Sequence, residues 1–105
     1  MLEDAENDLS VSVVSIWEIA IKFAQRRGRP DDMPISGGGA LLEIQKAQFN
    51  LLPVSGVNAA AVDQLPSIHR DPFDRLLIAQ AKSEPIILLT HDETLAAYGE
   101  FVLVV

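Results

Sequence analysis

Ile86-Ile87-Leu88-Leu89-Thr90 is the run that most limits how this chain can fold. Pro85 stops a helix from reaching into it, and it lacks the polar alternation of a strand with one wet face. A strand that is apolar on both faces has to be covered on both. Helical stretches flank it: Asp71–Glu84 before it, and a shorter one from Thr90 to Tyr98 after it, with Gly99 as its stop. The same alternation runs through the rest of the chain. Leu9–Ser15 is a β-branched run that reads as a strand. Ile16–Arg27 reads as a helix, with Ile16, Ile19, Ala20 and Phe23 at helical spacing and Gly28 at its end. Ala40–Phe49 and Val57–Leu65 are two further helical segments. Leu51–Val54 is a short extended piece whose Pro53 favours a sheet edge, and Phe101–Val105 is a last strand. This order predicts the α/β class: a parallel sheet with helices on both faces, in one domain spanning residues 1–105.

Composition narrows the function classes. An apolar fraction of 49 % argues for a packed core, and the absence of Cys excludes disulfides and thiolate metal sites. No apolar run is long enough to span a membrane, and the acidic start (Met1–Asp8, read as a helix tail or frayed end) is unlike a signal peptide. The expectation is a cytoplasmic protein. A net charge of −7 works against broad, passive binding to nucleic acid. It leaves room for action on nucleic acid through bound cations or a local basic patch.

Carboxylates recur where the helices start. Asp71 reads as an N-cap, Pro72 suits the first helical position, and Asp74 falls at the third. Asp74 then shares a stripe with Leu77, Ile78 and Ala81, so an acid heads a face that should be buried. Ser15-Ile16-Trp17-Glu18 and Thr90-His91-Asp92-Glu93 both have the form of capping boxes. In a parallel α/β sheet, strand ends and helix starts meet along one edge, where ligands bind. Glu18, Asp74 and Asp92 are therefore expected together there. Clustered carboxylates repel one another unless a cation sits among them, and hard oxygen ligands suit Mg²⁺ or Mn²⁺. Such ions activate water and stabilise phosphoryl displacement.

Taken in order, Ser15-x-x-Glu18, the segment His69-Arg-Asp-Pro-Phe-Asp-Arg-Leu-Leu-Ile-Ala-Gln-Ala81, and Thr90-His91-Asp92 resemble PIN-domain proteins, specifically VapC-type toxins of toxin–antitoxin pairs. The similarity runs from about Glu3 to Val105, and the His69–Arg75 segment is its most specific part. The resemblance implies a PIN-like fold and a Mg²⁺- or Mn²⁺-dependent endoribonuclease. By it, Glu18, Asp74 and Asp92 match three acidic catalytic and metal positions, and Thr90 matches the polar residue beside the last. It also implies RNA as substrate, a cognate antitoxin as partner and a homodimer. One family feature has no match: an apolar first strand ending in Asp, at the centre of the sheet. The expectation is thus an N-terminally incomplete PIN-like domain with impaired cleavage. Its two inner strands, Val11–Ser15 and Ile86–Thr90, would be left bare on one side or would pair directly.

A non-catalytic module of the same fold, binding an antitoxin-like partner or self-associating, is the competing expectation. A receiver-like signalling domain fits less well, because no early Asp-Asp pair and no late Lys accompany the strands. Lys22, Arg26, Arg27 and Arg29 are half of the eight Lys and Arg, and read either as dipole-compensating cations or as a landing patch for RNA phosphates. His69 and His91 read as supporting or surface groups. Trp17 and Phe23 read as core or partner contacts, and Arg75 as orienting a carboxylate, touching phosphate or pairing at the surface. Gly37-Gly38-Gly39, without a following Lys-Ser/Thr, reads as a flexible joint.

Overall fold

The computed structural model of the chain describes residues 2–3, 9–90 and 92–104. Strand β1 is Leu2–Glu3, β2 is Leu9–Ser12, β3 is Asn50–Leu52, β4 is Ile87–Thr90 and β5 is Val102–Val104. The sheet order is β3-β2-β1-β4-β5. Each outer pair, β2 with β3 and β4 with β5, is parallel as expected. The centre differs. Leu2 lies opposite Ser10 and Leu88, and Glu3 opposite Leu9 and Ile87, so β1 runs antiparallel to both of its neighbours. The inner strands are therefore neither bare along their whole length nor paired with each other: a two-residue strand bridges their first halves. No strand ending in Asp lies between them among the described residues.

Because β2 and β4 are both antiparallel to β1, they run in the same direction. Their C-terminal ends share one edge of the sheet, and the chain turns into helices there. Helix α1, Val13–Ala24, follows β2 with no loop. It starts three residues before the expected Ile16. Ser12 is its N-cap, and the Ser12 hydroxyl accepts the Val14 N–H at 3.1 Å. Burial decides this boundary: Ser12 and Val14 are both almost wholly enclosed, so the helix forms where Val14 is packed despite its β-branched side chain. Ser15 is consequently inside the helix, and the Ser15–Glu18 capping box does not form. Replacing Ser12 with Ala should cost about 1–2 kcal/mol, read as a lower urea midpoint. An unchanged midpoint would show that the cap contributes nothing.

Helix α2, Gly37–Lys46, opens on the three glycines, which are thus a helix start and not a joint. Ser36 caps it by accepting the Gly39 N–H at 3.0 Å. Two of the glycines answer to packing: a Cβ on Gly37 would meet the Ala20 Cβ at 2.9 Å, and one on Gly39 would meet Ile35 Cγ1 at 2.8 Å, whereas Gly38 has open space. Helix α3, Gly56–Ala60, has a reciprocal Ser55/Asn58 capping box and passes into a 3-10 turn, Ala61–Gln64. Helix α4, Pro72–Ser83, starts as expected, with Asp71 as N-cap and Pro72 first. A 3-10 helix, Glu93–Tyr98, precedes β5.

The core gathers Ile78, Ala79 and Ala81 of α4 with Leu65, Leu88, Leu95, Tyr98 and Val102. Helices flank the sheet, as the apolar strands require. Gln80 is fully enclosed too, its amide N–H donating to the Pro53 carbonyl at 3.0 Å. Among the described residues, no helix is long and apolar enough to cross a membrane.

Candidate metal centre

The start of α4 is built locally. Asp71 Oδ1 accepts the N–H groups of Phe73 at 2.8 Å and Asp74 at 3.1 Å, which orders the first turn. The Asp74 side chain is left free by this and faces inward, about a quarter exposed. Across the sheet edge, the turn after β4 repeats the device. Asp92 Oδ1 accepts the Thr94 N–H at 2.9 Å and the Thr94 hydroxyl at 2.6 Å. The Asp92 N–H in turn donates to Thr90 Oγ1 at 3.0 Å. Asp92 is thus the cap of the last helix, in place of the expected Thr90–Glu93 box. Asp92 Oδ1 is committed to Thr94, and in both acids Oδ2 lies near the same neighbour.

That neighbour is His69. Its Nε2 lies 3.6 Å from Asp74 Oδ2 and 3.6 Å from Asp92 Oδ2. Both distances are beyond hydrogen-bond length, so the imidazole sits between the carboxylates without being tightly bonded to either. His69 is held from behind. The Asp71 N–H donates to its Nδ1 at 3.2 Å, and its own backbone N–H donates to the Tyr98 hydroxyl at 2.9 Å. With Nδ1 occupied as an acceptor, the neutral ring carries its proton on Nε2 and presents a donor to the two acids.

Electrostatics separate the two carboxyls. Burial raises the Asp74 carboxyl above its ordinary value, and the charges of Asp71, Glu18 and Asp92 raise it further, while His69 opposes them. Asp92 is shifted down, chiefly by the Thr94 hydroxyl and Thr94 N–H that stabilise its anion. The pair therefore combines one readily ionised, half-exposed acid with one whose ionisation is opposed by burial and by neighbouring carboxylates.

His69, Asp74 and Asp92 each offer a ligand atom within 4.8 Å of the other two. Glu18 is not in that group. It lies in the second turn of α1, close enough for its charge to bear on Asp74, but its carboxylate sits 3.4 Å from Lys22 Nζ. Of the three expected acids, Asp74 and Asp92 both face His69, and Glu18 is turned to a lysine. His69, read from sequence as a supporting or surface group, is the residue at the centre; its counterpart His91 lies outside the described residues. Among the described residues, Arg75 makes no ion pair with a carboxylate. Its guanidinium donates to the carbonyls of Val62 at 3.1 Å, Pro66 at 3.1 Å and His69 at 3.3 Å. Trp17 is 55 % exposed and meets the Phe73 ring edge-on, with centroids 4.7 Å apart, so it is not a core residue.

Compared with known families, residues 1–100 match the model described as PIN domain. The chain belongs to the PIN-domain family. No curated protein and no solved structure matched it. In this PIN domain the donor set fits a hard divalent ion: two carboxylate oxygens and one imidazole nitrogen, with mutual repulsion that a cation would relieve. Asp74 and Asp92 would hold such an ion directly. His69 could join through Nε2 only by giving up the Nε2 proton, with Nδ1 then protonated and released from the Asp71 N–H. The cluster is therefore a candidate metal centre of nuclease-like composition.

Proposed function

We propose that this PIN-domain protein is a Mg²⁺- or Mn²⁺-dependent endoribonuclease of the VapC toxin class, acting on RNA phosphodiester bonds. The observation that carries this reading is the convergence of Asp74 and Asp92 on His69 at the edge where strands end and helices begin. In that site the ion, when bound, supplies Lewis acidity toward phosphoryl oxygen and lowers the pKa of a coordinated water. Asp74 and Asp92 hold it, and Glu18 adds a third negative charge from α1. His69 Nε2 is positioned to donate to an oxygen brought between the two acids.

Addition of Mn²⁺ to metal-free protein should raise its melting temperature in a concentration-dependent way, since binding to the folded state alone stabilises it. Single-stranded RNA should be cut in Mn²⁺ and spared in chelator. Asp92→Asn should remove both effects. Cleavage that persists in excess chelator, or Mn²⁺ stabilisation equal in Asp92→Asn, would overturn this reading.

A second reading is the non-catalytic PIN module that binds an antitoxin-like partner or pairs as a homodimer. Exposed Trp17 favours it, standing with Val13, Val14, Val54 and Leu76 around an apolar hollow of about 410 Å³. A protein that binds no Mn²⁺ and sediments as a dimer would support this second reading over the first.

A further inference from the structure

We infer that the hollow at the C-terminal end of α1 is a phosphate-binding track that carries the RNA strand away from the metal centre. This rests on the nuclease reading for the identity of the strand, and on separate residues for the track itself.

Residues 22–33 carry four cations, Lys22, Arg26, Arg27 and Arg29, against two acids, Asp31 and Asp32, in a chain of net charge −7. The hollow they surround has a volume of about 560 Å³ and is lined by Lys22, Arg27, Arg29, Asp31 and Asp32, with Gln25 and Met33. Neighbouring acids would ordinarily neutralise such arginines. Here neither Asp31 nor Asp32, whose charges both stand at the hollow, forms an ion pair with them among the described residues. Asp32 Oδ2 accepts the backbone N–H groups of Arg27 at 3.0 Å, Gly28 at 2.6 Å and Arg29 at 2.9 Å. Desolvation works to raise the Asp32 carboxyl, but these three bonds and the Arg26 charge outweigh it and hold it below the ordinary value. Gly28 sits at φ +78°, which closes the turn around that carboxylate and which a side chain would resist.

The carboxylate is thus committed to the backbone, and it fixes the turn that presents Arg27 and Arg29 to the hollow. Neither guanidinium has an ion pair to a carboxylate among the described residues. Arg26 is otherwise engaged, over the Phe23 ring at 3.8 Å and donating to the Phe23 carbonyl at 2.8 Å. Two unpaired planar forks beside one hollow suit phosphate oxygens, which each can bind bidentately.

Lys22 joins the hollow to the site. It lines the hollow and also reaches Glu18, one turn back along α1, whose charge bears on Asp74. From Glu18 to the end of α1 is about 9 Å of helix, the reach of a few nucleotides. A strand with one phosphate at Asp74 and Asp92 would follow α1 past Glu18 and Lys22 toward Arg27 and Arg29. An acidic polypeptide would meet the same charges, but would have no reason to lie continuous with a phosphodiester-cleaving centre.

The test uses the full chain with Asp74→Asn, so that RNA stays intact, and a fluorescent single-stranded RNA of about ten nucleotides read by anisotropy. Arg27→Gln with Arg29→Gln should weaken binding roughly ten- to a hundredfold and lower the log–log salt slope by about 1.4, the value for two single-strand phosphate contacts. Lys46→Gln, at an exposed lysine paired with Glu43, should change nothing. Unchanged decamer affinity would overturn the track and leave the metal centre standing. Decamer binding lost with the double variant, when the parent chain with Asp74 intact leaves the same RNA uncut in Mn²⁺, would instead retain the track and remove the nuclease reading. Tighter binding of poly-L-glutamate than of RNA, lost in the same double variant, would overturn RNA as the occupant.

Discussion

Asp74→Asn is expected to lower metal-dependent RNA cleavage by roughly a hundred- to ten-thousandfold while making the metal-free protein more stable. The opposite signs follow from one cause. Asp74 is at the third position of α4, where the helix dipole favours a negative charge by a few tenths to about 1 kcal/mol. Its carboxyl is nevertheless raised, so desolvation and the charges of Asp71, Glu18 and Asp92 outweigh the dipole. A folded-state carboxyl raised above the ordinary 3.8 binds its proton more tightly than the unfolded chain does. Stability from this group is thus fully present below 3.8 and is lost as the pH rises through the higher folded value. Asn removes the loss. The side chain is about a quarter exposed, so the gain should be modest, on the order of 0.5–1 kcal/mol or a few degrees. In chelator, the melting-temperature difference should open as pH rises from acid and level off once Asp74 is ionised. In Mn²⁺ the order should reverse, because only the carboxylate gains from the ion. A variant less stable than the parent in chelator at neutral pH would show that the charge is net favourable, and would remove the physical case for a cation there.

What could be read from the sequence was local. The Asp71-Pro72 start of α4 depends on hydrogen bonds within three residues, and it forms where expected. The parallel outer pairs follow from strands apolar on both faces. The misreadings share a different character. Ser15 lost its cap role to Ser12 because burying Val14 moved the helix start, and burial is a property of the packed whole. Gly37 of α2 serves a close approach to Ala20, seventeen residues earlier, which no local pattern records. The antiparallel β1 rests on two residues, too few to carry a periodicity. His69 was the largest omission in the site. Its spacing to Asp71 was in plain view, but its role depends on Tyr98 and Asp92, brought near only by the fold. Glu18 shows the converse: its place at the edge was legible, whereas its turn toward Lys22 was not.

Arg75→Met should destabilise the protein by about 2–4 kcal/mol, the largest loss expected from any single exposed or half-exposed residue here. The guanidinium fork donates to three carbonyls, those of Val62, Pro66 and His69, and so ties the 3-10 turn to the segment that leads into α4. Met retains the aliphatic stem and removes the donors, leaving the half-buried Val62 and His69 carbonyls without their partner. Lys should recover only part of the loss, since one ammonium cannot reach three acceptors that a planar fork spans. Arg70→Met removes the same charge at an exposed position five residues earlier and should stay within about 0.5 kcal/mol. Urea midpoints measure these losses. A second readout separates positioning of the site from bulk stability: the ¹⁵N shifts of His69 report which ring nitrogen bears the proton. With the His69 carbonyl released, the Asp71 N–H to Nδ1 bond should loosen and the ring should sample both tautomers, even under conditions where Arg75→Met is fully folded. Mn²⁺ affinity should fall in parallel. If the urea midpoint drops while the His69 shifts and the Mn²⁺ affinity stay at parental values, Arg75 fastens the loop without setting the imidazole between Asp74 and Asp92.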